Sequence, residues 1–175
     1  MYYFCFIVLF YYFIIIIILL LLLFYELNTH KKKKSSFSVE TIQLEDKRIL
    51  VWSIEGFEKI RCLWKHHFTN SSGIIFVIDS TDREKIPLAA KEIRSLMEEP
   101  ELVNCPLLVL ANKQDDQDAM SENEIISKLR LDDFKREWKV QSCSAYTGQG
   151  LKQGLDQLDA MLAKESHFFK RNFFV

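Results

Sequence analysis

The sequence predicts an α/β domain, a mostly parallel sheet with helices on both faces. Three observations predict it. Residues 73–79 and 106–111 are short, continuous apolar runs, the mark of strands buried on both faces. Apolar residues at helical spacing lie between and beyond these runs. Strand and helix patterns then alternate to the end of the chain, which favours parallel pairing through crossover helices.

Phe37, Val39, Ile42 and Leu44 open the first β segment of this domain. After a short acidic turn, residues 47–54 read as its hairpin partner. The strand at 73–79 comes next, then a helix over 83–97 and the strand at 106–111. A helix over 121–129 carries a capping box, Ser121 with Glu124. A weaker strand pattern at 138–143 precedes Gly148-Gln149-Gly150, which sets the start of a helix over 151–164. No internal repeat is visible.

Composition bounds the functional classes. The 175 residues suit one domain rather than a multidomain enzyme, and 49% apolar content excludes disorder throughout. Ten of the 23 aromatics lie between Tyr2 and Tyr25, a stretch with no charge, Gly, Pro, Ala, Ser or Thr. Without residues 1–34 the chain has 19 basic and 23 acidic residues, about −4, with no nucleic-acid footprint. Cys5, Cys62, Cys105 and Cys143 are far apart, with no CxxC pair, and read as free thiols of a reducing compartment.

Residues 1–35 therefore stand apart as a hydrophobic, low-complexity segment closed by a Lys run. Residues 2–25 have the length of a membrane-spanning helix. Lys31 to Lys34 would place the rest of the chain on the cytoplasmic side. A cleaved signal peptide fits poorly, since no basic start and no small-residue cleavage site are present. Translated AT-rich non-coding DNA gives the same residue types, so an anchor and a gene-model artefact both remain open. Residues 36–165 form the domain, and 166–175 a Phe-rich tail.

In parallel sheets, ligands bind beyond the carboxyl ends of the strands. The loop after Ala111 reads Asn112-Lys113-Gln114-Asp115. A carboxylate there can accept from the N1–H and the exocyclic amine of guanine, whereas adenine would face it with an acceptor. Asn112 can bond the base and tie neighbouring loops, and the Lys113 stem can lie along the ring. The next strand leads into Cys143-Ser144-Ala145, whose Ala145 N–H would meet the guanine O6.

Residues 37–162 resemble the Arf family of small GTPases. The resemblance rests on Ser38-Val39-Glu40-Thr41, Val51-Trp52, residues 59–68 (KIRCLWKHHF), residues 76–84 (FVIDSTDRE), residues 110–115 (LANKQD) and Thr147-Gly148-Gln149-Gly150-Leu151. It implies a Ras-like P-loop NTPase sheet, GTP or GDP binding with Mg²⁺, and a switch role in vesicle traffic. Effector and regulatory proteins of Arf type, and the cytoplasmic face of an endomembrane such as the Golgi, are the implied partners and place. The guanine site carries over onto Asn112, Lys113, Asp115, Ser144 and Ala145. Phe37, Trp52 and His67 match the three aromatic positions of the effector patch, the last as His in place of Tyr.

The departures fall on the phosphate half. A G-x-x-x-x-G-K-[ST] loop should precede Phe37, and no Gly occurs before Gly56. Ser53 stands where the family has the Asp that positions Mg²⁺, which puts the ion in doubt. Glu55 replaces a Gly, Phe57 replaces the Gln that orients water, and Gly56 alone is left for a phosphate contact. Phosphoryl transfer depends on positioning and charge stabilisation, so hydrolysis is expected to be absent. On this alignment the domain is truncated, with its first strand, P-loop and first helix missing. The alternative function is a membrane-anchored pseudo-GTPase that recognises partners through switch II and the aromatic patch. His66 with His67, and Asp115 with Asp116 and Asp118, lack the geometry of metal sites.

Overall fold

The structure, a computed structural model, describes residues 2–9, 37–44, 47–55, 68 and 71–172, with side chains described for 51, 68 and 71–164. Six strands form one sheet: β1 (Tyr2–Leu9), β2 (Phe37–Leu44), β3 (Lys47–Glu55), β4 (Gly73–Asp79), β5 (Leu107–Asn112) and β6 (Trp138–Ser142). Their order is β2-β3-β1-β4-β5-β6. Among the described strands only the β2–β3 hairpin is antiparallel, with Leu44 opposite Lys47; β3-β1-β4-β5-β6 run parallel. The helices are α1 (Ile86–Glu98), α2 (Glu122–Leu129) and α3 (Leu151–Asn172).

The position of β1 corrects the sequence reading. In place of a missing first strand, Tyr2–Leu9 fills the gap, pairing with β3 from Tyr2↔Arg48 to Leu9↔Glu55 and with β4 from Cys5↔Gly73 to Leu9↔Val77. The physical reason is plain. The segment YYFCFIVL is aromatic and β-branched, and an uninterrupted apolar run is what a doubly flanked parallel strand requires. Placed as a helix, it would leave β3 and β4 with unpaired edges inside the sheet. A membrane helix over 2–25 therefore does not form in its first eight positions. Among the described residues no helix is long and apolar enough to cross a membrane. The missing first helix falls outside the described residues.

Core packing places the helices on both faces, as expected. On one face Ile74, Phe76 and Ile78 of β4 and Leu107, Val109 and Ala111 of β5 are buried with Ile86, Ala89, Ile93, Leu96 and Met97 of α1 and Ile125 and Leu129 of α2. The α1 residues recur at helical spacing along one stripe. On the other face, Gly154 of α3 lies so close to Leu110 that a Cβ there would sit 2.8 Å from Leu110 Cδ2. Leu155, Leu158, Met161 and Leu162 are buried on this helix. Ile93 is fully buried at the centre of the first layer. Ile93→Ala is expected to destabilise by about 2–5 kcal/mol, read as a lower denaturant midpoint at unchanged m.

Helix boundaries differ from the sequence pattern for local reasons. The first helix begins at Ile86 rather than at 83, because Pro87 is tolerated only in a first turn. Asp82 organises that start, accepting the Lys85 N–H at 3.2 Å and pairing with the Lys85 ammonium. Half of the capping box forms: Ser121 Oγ accepts the Glu124 N–H at 3.3 Å, while the Glu124 carboxylate turns to Arg83. The last helix runs on to Asn172 instead of ending at 164. Arg136 joins the end of α1 to the turn before β5, donating to Met97 O and Leu102 O, each at 2.6 Å.

Candidate functional site

The carboxyl ends of β4, β5 and β6 bring three loops together. Asp79 ends β4 and Asn112 ends β5, and the register sets them opposite each other. The loops are laced by backbone hydrogen bonds: Ser80 N–H to Asn112 O at 3.0 Å, Cys143 N–H to Ala111 O at 3.0 Å, and Gln114 N–H to Cys143 O at 3.1 Å. Chain paths that leave a sheet end this tightly joined present side chains in fixed relation.

Asn112 is buried, and its Oδ1 accepts the Ala145 N–H at 2.8 Å. Ser144 is buried beside it. Its hydroxyl donates to Asp115 Oδ1 and accepts the Thr147 N–H at 3.1 Å. Asp115 itself is exposed, so one carboxylate oxygen is anchored on the protein while the group faces outward. Lys113 takes a left-handed backbone conformation, φ 68°, and its Nζ lies 2.5 Å from Asp79 Oδ2.

The structure shows what Ser144 and Ala145 touch. Ser144 is buried and holds one oxygen of the Asp115 carboxylate. The Ala145 N–H, expected at the guanine O6, bonds Asn112 Oδ1 in this structure, so the two acceptors would share it. Other candidate positions are described by the backbone register alone. It puts Phe37 opposite Ile54 and Val39 opposite Trp52, so Phe37 and Trp52 are diagonal neighbours in the hairpin. Ser53 pairs with Ser38 and Ile7. Gly56, Phe57 and His67 lie outside the described residues.

Three participants are not assigned to the site by the sequence reading. Gln114 Nε2 donates to Ser80 Oγ at 3.1 Å and to Met120 O at 3.0 Å, clamping the loop after β5 to the turn after β4. Asp79 Oδ1 accepts from Thr81 N–H at 3.0 Å and Thr81 Oγ1 at 2.7 Å. Burial alone would raise the Asp79 carboxyl, but the bonds from Lys113 and Thr81 and the Lys113 charge together hold it below the usual carboxylate value. What this favoured ionisation contributes to stability is present above the unfolded-state value and fades as pH falls through the lowered one. Gly150 is the third: its φ of 78° and a would-be Cβ only 2.0 Å from Ser142 O leave no residue but glycine there. A capped strand end followed by G-x-G is its only signal in the sequence.

Against known proteins, the sequence matches the model of the ADP-ribosylation factor family over residues 18–162, most of the chain. The chain belongs to the Arf family. Among solved structures, it is similar to the Arl6 BBS3 small GTPase of Trypanosoma brucei, determined with the nucleotide analogue GppNp bound. The identity is 19% and the TM-score 0.81, covering 94% of this chain and 99% of that one. The likeness supports the Ras-like fold, and its coverage extends over nearly the whole of that GTPase.

Two ligands of the Arf family can be tested against the donors present. For guanine, the same sheet end carries an exposed Asp115 carboxylate held by Ser144 at one oxygen, beside Asn112, whose Oδ1 accepts the Ala145 N–H. For Mg²⁺, the sequence has Ser53 where the resemblance to the family implies a carboxylate, and no Gly-Lys-Ser/Thr sequence follows β1. Among the described residues there is no group of three or more His, Cys, Asp or Glu able to hold a metal. The Cys143 thiol beneath the site is pushed up to about 12 by burial and is inert.

Proposed function

We propose that this Arf-family chain binds guanine nucleotides through the base and does not hydrolyse GTP. The observation that carries the reading is the Asp115 carboxylate, fixed by Ser144 at one oxygen and left outward-facing beside Asn112 and Ala145. Guanine presents two adjacent donors, N1–H and the exocyclic amine, to such a group. Adenine presents an acceptor there, and a mismatched buried polar pair costs about 1–3 kcal/mol. The base choice therefore rests on one side chain.

The phosphate half supports loss of hydrolysis. With β1 at Tyr2–Leu9, a P-loop would have to lie in residues 10–36, and that stretch contains no glycine. Backbone cradling of phosphates relies on glycine-rich turns, and charge neutralisation on the lysine within them. Ser53, Glu55 and Phe57 then remove the metal-positioning carboxylate, add a negative charge and remove the water-orienting amide. Single-turnover incubation with γ-labelled GTP tests this. Phosphate release indistinguishable from buffer is expected; release that Asp115→Ala abolishes would overturn it.

A second reading is favoured by the hairpin register. Phe37 and Trp52 are diagonal neighbours on β2 and β3, and His67 follows in the switch II segment, so an Arf-type effector surface is available without nucleotide turnover. On this reading the chain is a pseudo-GTPase recognised by trafficking partners at an endomembrane surface.

A further inference from the structure

We propose that Asp79, at the end of β4, is a positioning residue for the base site: with Thr81 it holds Lys113 so that the lysine stem lies ready along the purine face. The proposal rests on the guanine-base reading above and names the residue that prepares one wall of that site. Nothing in the Asn112-to-Asp115 motif itself points to Asp79, which is distant in sequence and meets Asn112 only through the β4–β5 register.

The geometry divides the Asp79 carboxylate between two tasks. Oδ1 takes both the backbone N–H and the hydroxyl of Thr81, which fixes the plane of the group. Oδ2 takes Lys113 Nζ at 2.5 Å. Lys113 starts from a left-handed backbone, uncommon for a residue with a side chain, so its Cα–Cβ direction is unlike that of its neighbours. A four-carbon stem leaving such a backbone has many rotamers. Pinning the ammonium at Asp79 selects among them before any ligand arrives. A stem held in advance lowers the ordering penalty of binding.

Asp79 cannot read the base edge, because its oxygens are occupied by Thr81 and Lys113. Its removal should therefore weaken every ligand with a purine face alike and leave edge discrimination to Asp115. Releasing one long side chain corresponds to a roughly three- to tenfold loss of affinity.

The test is a double-mutant cycle on the full chain, with guanosine and inosine titrated by protein chemical-shift changes and melting followed separately. Asp79→Asn should weaken guanosine about three- to tenfold and leave the guanosine-to-inosine ratio unchanged. Lys113→Met should weaken it similarly. The double variant should bind no worse than Lys113→Met alone, the signature of a residue acting through the lysine. Thr81→Val, which removes one of the two Thr81 donors, should give a smaller loss in the same direction and covers the case in which Asp79→Asn does not fold. Wild-type affinity in both Asp79→Asn and Thr81→Val, or losses that add in the double variant, would overturn the proposal. Failure of the base reading looks different: wild-type protein would show no guanosine shifts that Asp115→Ala removes, and the present proposal would fall with it.

Discussion

Gly150→Ala is expected to destabilise the protein by about 2–5 kcal/mol and to disorder the loop that carries Ser144 and Ala145. Two penalties combine. A left-handed conformation, φ 78°, costs an alanine about 1–2 kcal/mol. The new Cβ would also stand 2.0 Å from Ser142 O and 2.9 Å from Cys143 Cα, both backbone atoms at the end of β6. Overpacking against atoms that cannot rotate away costs typically about 1–3 kcal/mol more. Against a total stability of about 5–15 kcal/mol this is a large fraction. Gly148 supplies the control. Its φ is 80°, yet nothing lies within 4 Å of its would-be Cβ, so Gly148→Ala should cost only the conformational part. Chemical denaturation of the two variants should separate them by a factor of about two or more in lost stability. Equal losses would show that the close approach to Ser142 is not what fixes Gly150.

Asp115→Asn is expected to lower affinity for guanosine roughly tenfold or more and to raise affinity for xanthosine. The carboxylate accepts from two guanine donors, and hydrogen bonds to a charged group are worth about 1.5–3 kcal/mol each. An amide can accept from N1–H but offers a donor where guanine presents its amine. Xanthine has an oxygen at that position and accepts the amide hydrogen instead. Ser144 holds Asp115 Oδ1 in the native chain, so the substituted amide would keep its place on the loop. Competition between the two nucleosides in a chemical-shift titration reads the exchange directly. An unchanged guanosine affinity would place the base elsewhere.

Much of the fold is legible in the sequence, and for identifiable reasons. The runs at 73–79 and 106–111 become β4 and β5, because uninterrupted apolar residues bounded by turns have few other uses in a sheet protein. Asn112, Lys113 and Asp115 are visible as polar residues directly beyond such a strand. Tyr2–Leu9 is not legible, because a strand of eight apolar residues is hidden inside a run of 24 that also satisfies a membrane helix. Nothing local marks where the strand ends. Only the demand of β3 and β4 for a partner between them decides the matter, and that demand is a property of the assembled sheet.

The outer ring of the site is invisible for a similar reason. Asp79 and Gln114 act across strand ends, from β4 to β5 and from the β5 loop to Met120, and neither contact has a fixed sequence separation. The motif singles out Ser144. Its burial, the turn that folds Thr147 N–H back onto its hydroxyl and its bond to Asp115 Oδ1 show what it touches. Motif spacing identifies which residues converge; which of them face outward depends on the turn that carries them.

On the proposed function, the base-reading half of an Arf-family site persists without its phosphate-reading half. Titration of the full chain with guanosine, GDP and GTP, each with Mg²⁺ and with chelator, tests it most directly. With the base alone held, all three ligands should bind weakly, with a Kd on the order of 1 mM, about 4 kcal/mol. Their affinities should lie within about threefold of one another and be indifferent to Mg²⁺, with adenosine giving no comparable shifts. GTP or GDP binding about a hundredfold tighter than guanosine, and lost on chelation, would overturn the proposed function.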